Sequence, residues 1–160
     1  MADNNFTLIC KCLKIMEKEL RSIEIRTIED SRKIEGMSIV FNALSNDLGG
    51  FRELIIPEAI EGVIEQSDIF FLYNHTSDRG FLARSRNGVG SLKTEVREDG
   101  VYFEFDAPKS ALGDEVLEYL KRGDVNQCSF AFTVESDKWE KQSDGMYIRT
   151  ITKFKKLYDM

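Results

Sequence analysis

The chain has 160 residues, 42% of them hydrophobic and 31% charged, with only 2 prolines, a balance that fits one folded domain and argues against long disorder or a low-complexity linker. A net charge of -6 disfavours nonspecific attraction to nucleic acid or to an anionic membrane. Cys10, Cys12 and Cys128 are odd in number, with two of them too close to bridge easily, which argues against a disulfide framework and for a reducing compartment. One histidine with no CxxC-like or HxxxH-like pair argues against zinc, and no cofactor is expected.

Residues 1–22 read as an extension ahead of a domain over residues 23–160. FTLIC is too short to cross a membrane and lacks the small-residue cleavage site of a signal peptide, so the chain reads as cytoplasmic. Leu8, Cys12, Ile15 and Met16 recur at helical spacing, which fits a short amphipathic helix; Met16 fits equally well as a second start. From Ser22 the pattern alternates, with Ile23 and Ile25 against Glu24 and Arg26, as in a half-buried strand. Further strands are expected at residues 33–41, 52–56, 69–73, 90–97, 101–106, 127–135 and 146–158, with turns at Asp99-Gly100 and at Ser143-Asp144-Gly145. The loop 75–88 is the most mobile candidate in the body.

Two helices are expected among these strands. One covers Pro57 to Gln66, with Ala59, Ile60, Val63 and Ile64 as its apolar face. The other covers Ser110 to Arg122, with Leu112, Val116, Leu117 and Leu120 inward and Gly123 as its stop. Many strands with few helices imply an α+β, mainly β fold: an antiparallel sheet or barrel with helices packed outside. The acids Glu53, Glu58, Glu61 and Glu65 read as a solvated face on the first helix, and the glycine-rich GG and NGVG lack the context of a phosphate loop.

The chemistry centres on two residues. His75, the sole histidine, follows the apolar run FFLY, and Ser129 sits in the strand-like QCSFAFTV, sharing a face with the small Ala131 and Thr133. A serine hydroxyl becomes a nucleophile at neutral pH when an imidazole accepts its proton, and a third group orients that imidazole. A packed or surface histidine and a serine on a solvated strand face are the plain alternatives.

The blocks KIEGMSIVFNALS, GGFRELIIPEAI, FLYNHTSDRGFLARSRNGVGSL, DGVYFEFDAP and GDEVLEYLKRGDVNQCSFAF, with the closing LYDM, resemble in content and order the HK97-like prohead maturation proteases of tailed bacteriophages. That resemblance, which spans the chain from about Ile23, implies a β-barrel like that of the herpesvirus assembly proteases. It implies a serine endopeptidase that trims scaffold or major-capsid-protein extensions, and itself, inside the assembling prohead in the bacterial host cytoplasm. The partners implied are that substrate, the chain's own copies and a homo-oligomer, with no nucleic acid and no membrane. Ser129 is then the nucleophile, His75 the base, and Asp159 the third member, with Asp78 as its backup. Arg84 and Arg86 become helpers at the oxyanion, against their alternative as solvated basic residues. Two glycines of the family pattern are replaced by Ala83 and Ala131, which leaves open a catalytically silent assembly protein of the same fold. The family's tail after the acidic residue is missing, so the chain is expected to be truncated and Asp159 to lie on a fraying terminus.

Overall fold

Alternating apolar residues draw most of the chain into strands, and the register among them decides which loops meet. A computed structural model describes the backbone of residues 19–27 and 31–160, with side chains from residue 31 onward. The expected helix around Leu8 to Met16, Cys10 and Cys12 lie outside the described residues.

The strands are β1 (Glu19–Thr27), β2 (Lys33–Val40), β3 (Phe51–Ile55), β4 (Asp68–Phe71), β5 (Ala83–Arg86), β6 (Val89–Gly90), β7 (Lys93–Arg97), β8 (Gly100–Asp106), β9 (Gln127–Lys141) and β10 (Tyr147–Asp159). They form one sheet in the order β6-β5-β4-β10-β9-β1-β2-β8-β7, with β3 also paired to β10. The mainly β fold with few helices is as expected; closure into a barrel is not found among the described strands, and the all-antiparallel arrangement needs correction. The described strands make an open path, with no pairing between its ends β6 and β7. The sheet is also mixed: β10 runs parallel to β3, from Tyr147 opposite Phe51 to Ile151 opposite Ile55, and parallel to β4 at Asp159 opposite Phe70. Those pairings join strands about a hundred residues apart, so no local turn signal announces them.

β9 and β10 form a long hairpin through the expected turn, where the Gly145 N–H donates to the Gln142 carbonyl and the Met146 N–H to Asp144 Oδ1. Phe130, Phe132 and Phe154 stack in its core at 4.6 to 6.5 Å between ring centroids. One α-helix, α1 (Ala111–Arg122), packs Leu112, Val116 and Leu117 inward. The Ser110 hydroxyl accepts from the Gly113 N–H, and Gly123 closes the helix in the left-handed conformation.

The expected helix over Pro57 to Gln66 is instead two 3-10 turns, Pro57–Ile60 and Ile64–Gln66. Gly62 stands between them at φ 70, which breaks the helical path while Ala59, Ile60, Val63 and Ile64 stay buried. The supposed mobile loop contains β5, paired with β4 from Ala83 opposite Phe71 to Arg86 opposite Asp68. Asn87 (φ 52) and Gly88 (φ 77) link β5 to β6 as a two-residue hairpin. The single strand expected at 90–97 is the separate β6 and β7. Glu53 is buried at 3% exposure on β3, not part of a solvated acidic face, and Arg149 meets both Glu53 at 3.2 Å and Asp137 at 2.8 Å. β1 begins inside the expected extension and pairs Glu19 to Glu24 with Phe132 to Gln127. Among the described residues no helix is long and apolar enough to cross a membrane.

Candidate active site

β4, β10 and β9 are neighbours in the sheet, and each delivers one of three polar side chains to the same end. At the end of β4 the chain is clamped to the end of β10: the Met160 N–H donates to the Phe70 carbonyl at 2.9 Å, and the Leu72 N–H to the Met160 carbonyl at 3.3 Å. A 3-10 turn, Tyr73–His75, follows directly. Within it Asn74 (φ 56) and His75 (φ 53) are consecutive left-handed residues. Asparagine and histidine adopt that conformation more readily than most side chains, though each holds it at a steric cost that glycine would not meet.

Ser129 comes from β9, half-buried between the buried Cys128 and Phe130 and opposite Ser22 of β1. Burial pushes the neighbouring Cys128 thiol up to about 12, so that sulfur stays protonated and unreactive near neutrality. Asp159 comes from β10, opposite Ala131 on one side and Phe70 on the other. The expectation of a fraying terminus is corrected here: Asp159 is 2% exposed, because backbone pairing holds it from both sides.

The three side chains meet in a hydrogen-bonded chain. His75 Nδ1 lies 2.5 Å from Asp159 Oδ1, and His75 Nε2 is hydrogen-bonded to Ser129 Oγ. A carboxylate only accepts, so Nδ1 carries the ring proton and donates it to Asp159; Nε2 is then the acceptor for the serine hydroxyl. The imidazole is the more open end of the pair, with its side chain 27% exposed against 3% for the aspartate. A cavity of about 400 Å³ opens at this point, with both His75 and Ser129 in its lining.

The other candidates lie elsewhere. Arg84 donates through Nε and a terminal nitrogen to Asp68 at 2.7 and 2.6 Å, and its guanidinium covers the Phe70 ring at 4.7 Å. That contact holds the Asp68 carboxyl below its usual range. Arg86 is exposed, and neither arginine lines the cavity. Asp78 is exposed in a turn, its N–H donating to Thr76 Oγ1 at 3.3 Å. Sequence reading missed the tie between the histidine segment and α1: Arg79 is bonded to Glu115, the Tyr119 hydroxyl donates to Glu115 at 2.8 Å, and Tyr73 stacks on Tyr119 at 6.2 Å. No sequence signal marks such a contact between distant charged residues.

A family model described as caudovirus prohead serine protease matches residues 21–160. The chain belongs to the caudovirus prohead serine proteases. That membership indicates a phage prohead protease, of a kind that serves capsid maturation within the assembling capsid. Among solved structures, the capsid assembly protease of bacteriophage T4 aligns with 90% of this prohead protease and 98% of its own chain, at 8% identity and a TM-score of 0.49. No curated protein matches the chain.

Proposed function

We propose that this prohead protease is a serine endopeptidase in which Ser129 attacks the peptide carbonyl, His75 serves as base and then acid, and Asp159 orients the imidazole. The observation that carries this reading is the hydrogen-bonded succession Ser129–His75–Asp159. In the first step Nε2 takes the Ser129 proton as Oγ bonds to the carbonyl carbon. The same proton then passes to the departing amine, leaving an acyl-enzyme. Water, deprotonated by the ring in its turn, releases the acid and restores the serine. Asp159 fixes the Nδ1–H tautomer and stabilises the imidazolium that forms between the steps.

The substrates on this reading are scaffold or major-capsid-protein extensions and the chain itself, in homo-oligomeric association inside the prohead, in the host cytoplasm. On this reading the protease domain includes β1, which begins at Glu19 and pairs with the serine-bearing β9, so the boundary expected at residue 23 moves back into the supposed extension. The decisive experiment incubates the protein with its matching capsid protein and weighs the products. Ser129→Ala and His75→Ala should each reduce cleavage to background while melting near the wild-type temperature. Asp159→Asn should lower turnover by on the order of 10⁴-fold, because the amide favours the wrong tautomer. Wild-type rates in any of the three would exclude the role given to that residue. A wild-type chain that cleaves nothing and fails to react with a fluorophosphonate would instead mark a silent assembly protein, the reading that Ala83 and Ala131 leave open.

A further inference from the structure

The cavity beside Ser129 has a lining that the bond-breaking steps do not use. Leu72, Leu82, Val116, Val125, Cys128 and Met160 form its apolar wall, and Leu82, Val116, Cys128 and Met160 are buried. Apart from the histidine and serine, its polar members among the described residues are Tyr73, Asn74 and Gln127, none of them charged, and no Lys, Arg, Asp or Glu among the described residues lines it. A charged side chain entering it would leave water with no partner to replace that water, whereas an aliphatic or aromatic one would gain from burial. At about 400 Å³ it lies toward the small end of ligand pockets, which run from about 300 to 1,000 Å³.

The walls are also tied together. The segment after β4 supplies Leu72 and Leu82 and α1 supplies Val116, and these two elements are joined by Arg79 with Glu115 and by the stacked Tyr73 and Tyr119. A pocket braced in this way is ready-shaped before a substrate enters. Another concavity among the described residues, over β2, β7 and β8, has Glu35, Lys93, Glu95, Arg97 and Glu104 in its lining and includes none of the three site residues.

We infer that this cavity is the specificity pocket of the protease, taking an uncharged, medium-sized apolar side chain such as Leu, Ile, Met or Phe from a residue flanking the scissile bond. The inference rests on Ser129 being the nucleophile, since only then does a side chain in the cavity bring its neighbouring carbonyl to the serine.

The test is digestion of a peptide library by the full chain, with both product ends read by mass. One of the two positions flanking the cut should favour apolar side chains over Asp, Glu, Lys and Arg by at least about tenfold in kcat/KM. Val125→Glu, on the half-buried loop wall, should lose that preference and gain at least about tenfold for Lys or Arg relative to Leu. Val125→Phe, which narrows the pocket without adding charge, should shift preference to Ala over Phe and serves if the glutamate variant fails to melt cooperatively. Fluorophosphonate labelling of Ser129 separates the two ways of failing. A labelled wild-type enzyme that cuts without apolar preference, or a profile unmoved in the folded variants, overturns the pocket alone. An unlabelled serine removes the nucleophile and the pocket with it.

Discussion

Asn74 and His75 carry the backbone strain of the site, at φ 56 and 53. A β-branched residue at position 74 would meet the full penalty of the left-handed region, so Asn74→Val should destabilise by about 1–3 kcal/mol. Asn74→Gly should melt close to the wild type. Both are read by thermal melting, and cleavage by the valine variant should fall further than its stability, since the imidazole moves with its backbone. Cys128 gives a pH-dependent counterpart. Its folded thiol keeps its proton up to about pH 12, whereas a free thiol ionises near ~8.5. The folded state therefore binds the proton more tightly, and this contribution to stability is present below the free value and lost as pH rises from there toward 12. The melting temperature of the wild type should fall more steeply between pH 8 and 10 than that of Cys128→Ala. Iodoacetamide should leave the native thiol unmodified at pH 8.

Strands and helices were legible where one face is apolar and the ends are punctuated. α1 has its apolar stripe, Ser110 before it and Gly123 after it; the β9–β10 hairpin has its aspartate-glycine turn. Residues 57–66 misled because Ala59, Ile60, Val63 and Ile64 point inward from two 3-10 turns as readily as from one helix. β5 is hard to see in the sequence because its four residues, ARSR, are mostly polar, although Asn87-Gly88 beside it is a hairpin signal. Glu53 illustrates a different blindness: its solvation depends on Arg149, 96 residues away. Arg149→Leu would leave that carboxylate, 3% exposed, without this cation. A loss of about 3–5 kcal/mol is expected from breaking such a buried pair, measured by urea unfolding.

At the scale of the molecule, β10 is the hub. It pairs with β9 along most of its length and with β3 and β4 on its other edge. Ile151, Phe154 and Leu157, all at 0% exposure, should therefore have the slowest-exchanging amides in the protein, opening only with global unfolding, while β6 and β7 at the sheet ends exchange fastest. Uniform exchange across the strands would refute the hub. Of the site, the histidine and serine could be singled out from residue type and wording, but the burial of Asp159 could not, because it depends on two pairings visible only in the folded sheet.

The middle position of β10 also sets a schedule. Synthesis delivers the histidine segment first, the serine strand next and the carboxylate strand after both. The two hydrogen bonds then join residues 54 and 84 positions apart, contacts that close late because the intervening chain must first be ordered. A nascent or partly folded copy holds the imidazole and the hydroxyl but not the strand that seats between them. On the proposed reading such a copy would lack the carboxylate that orients the imidazole until that single strand docks.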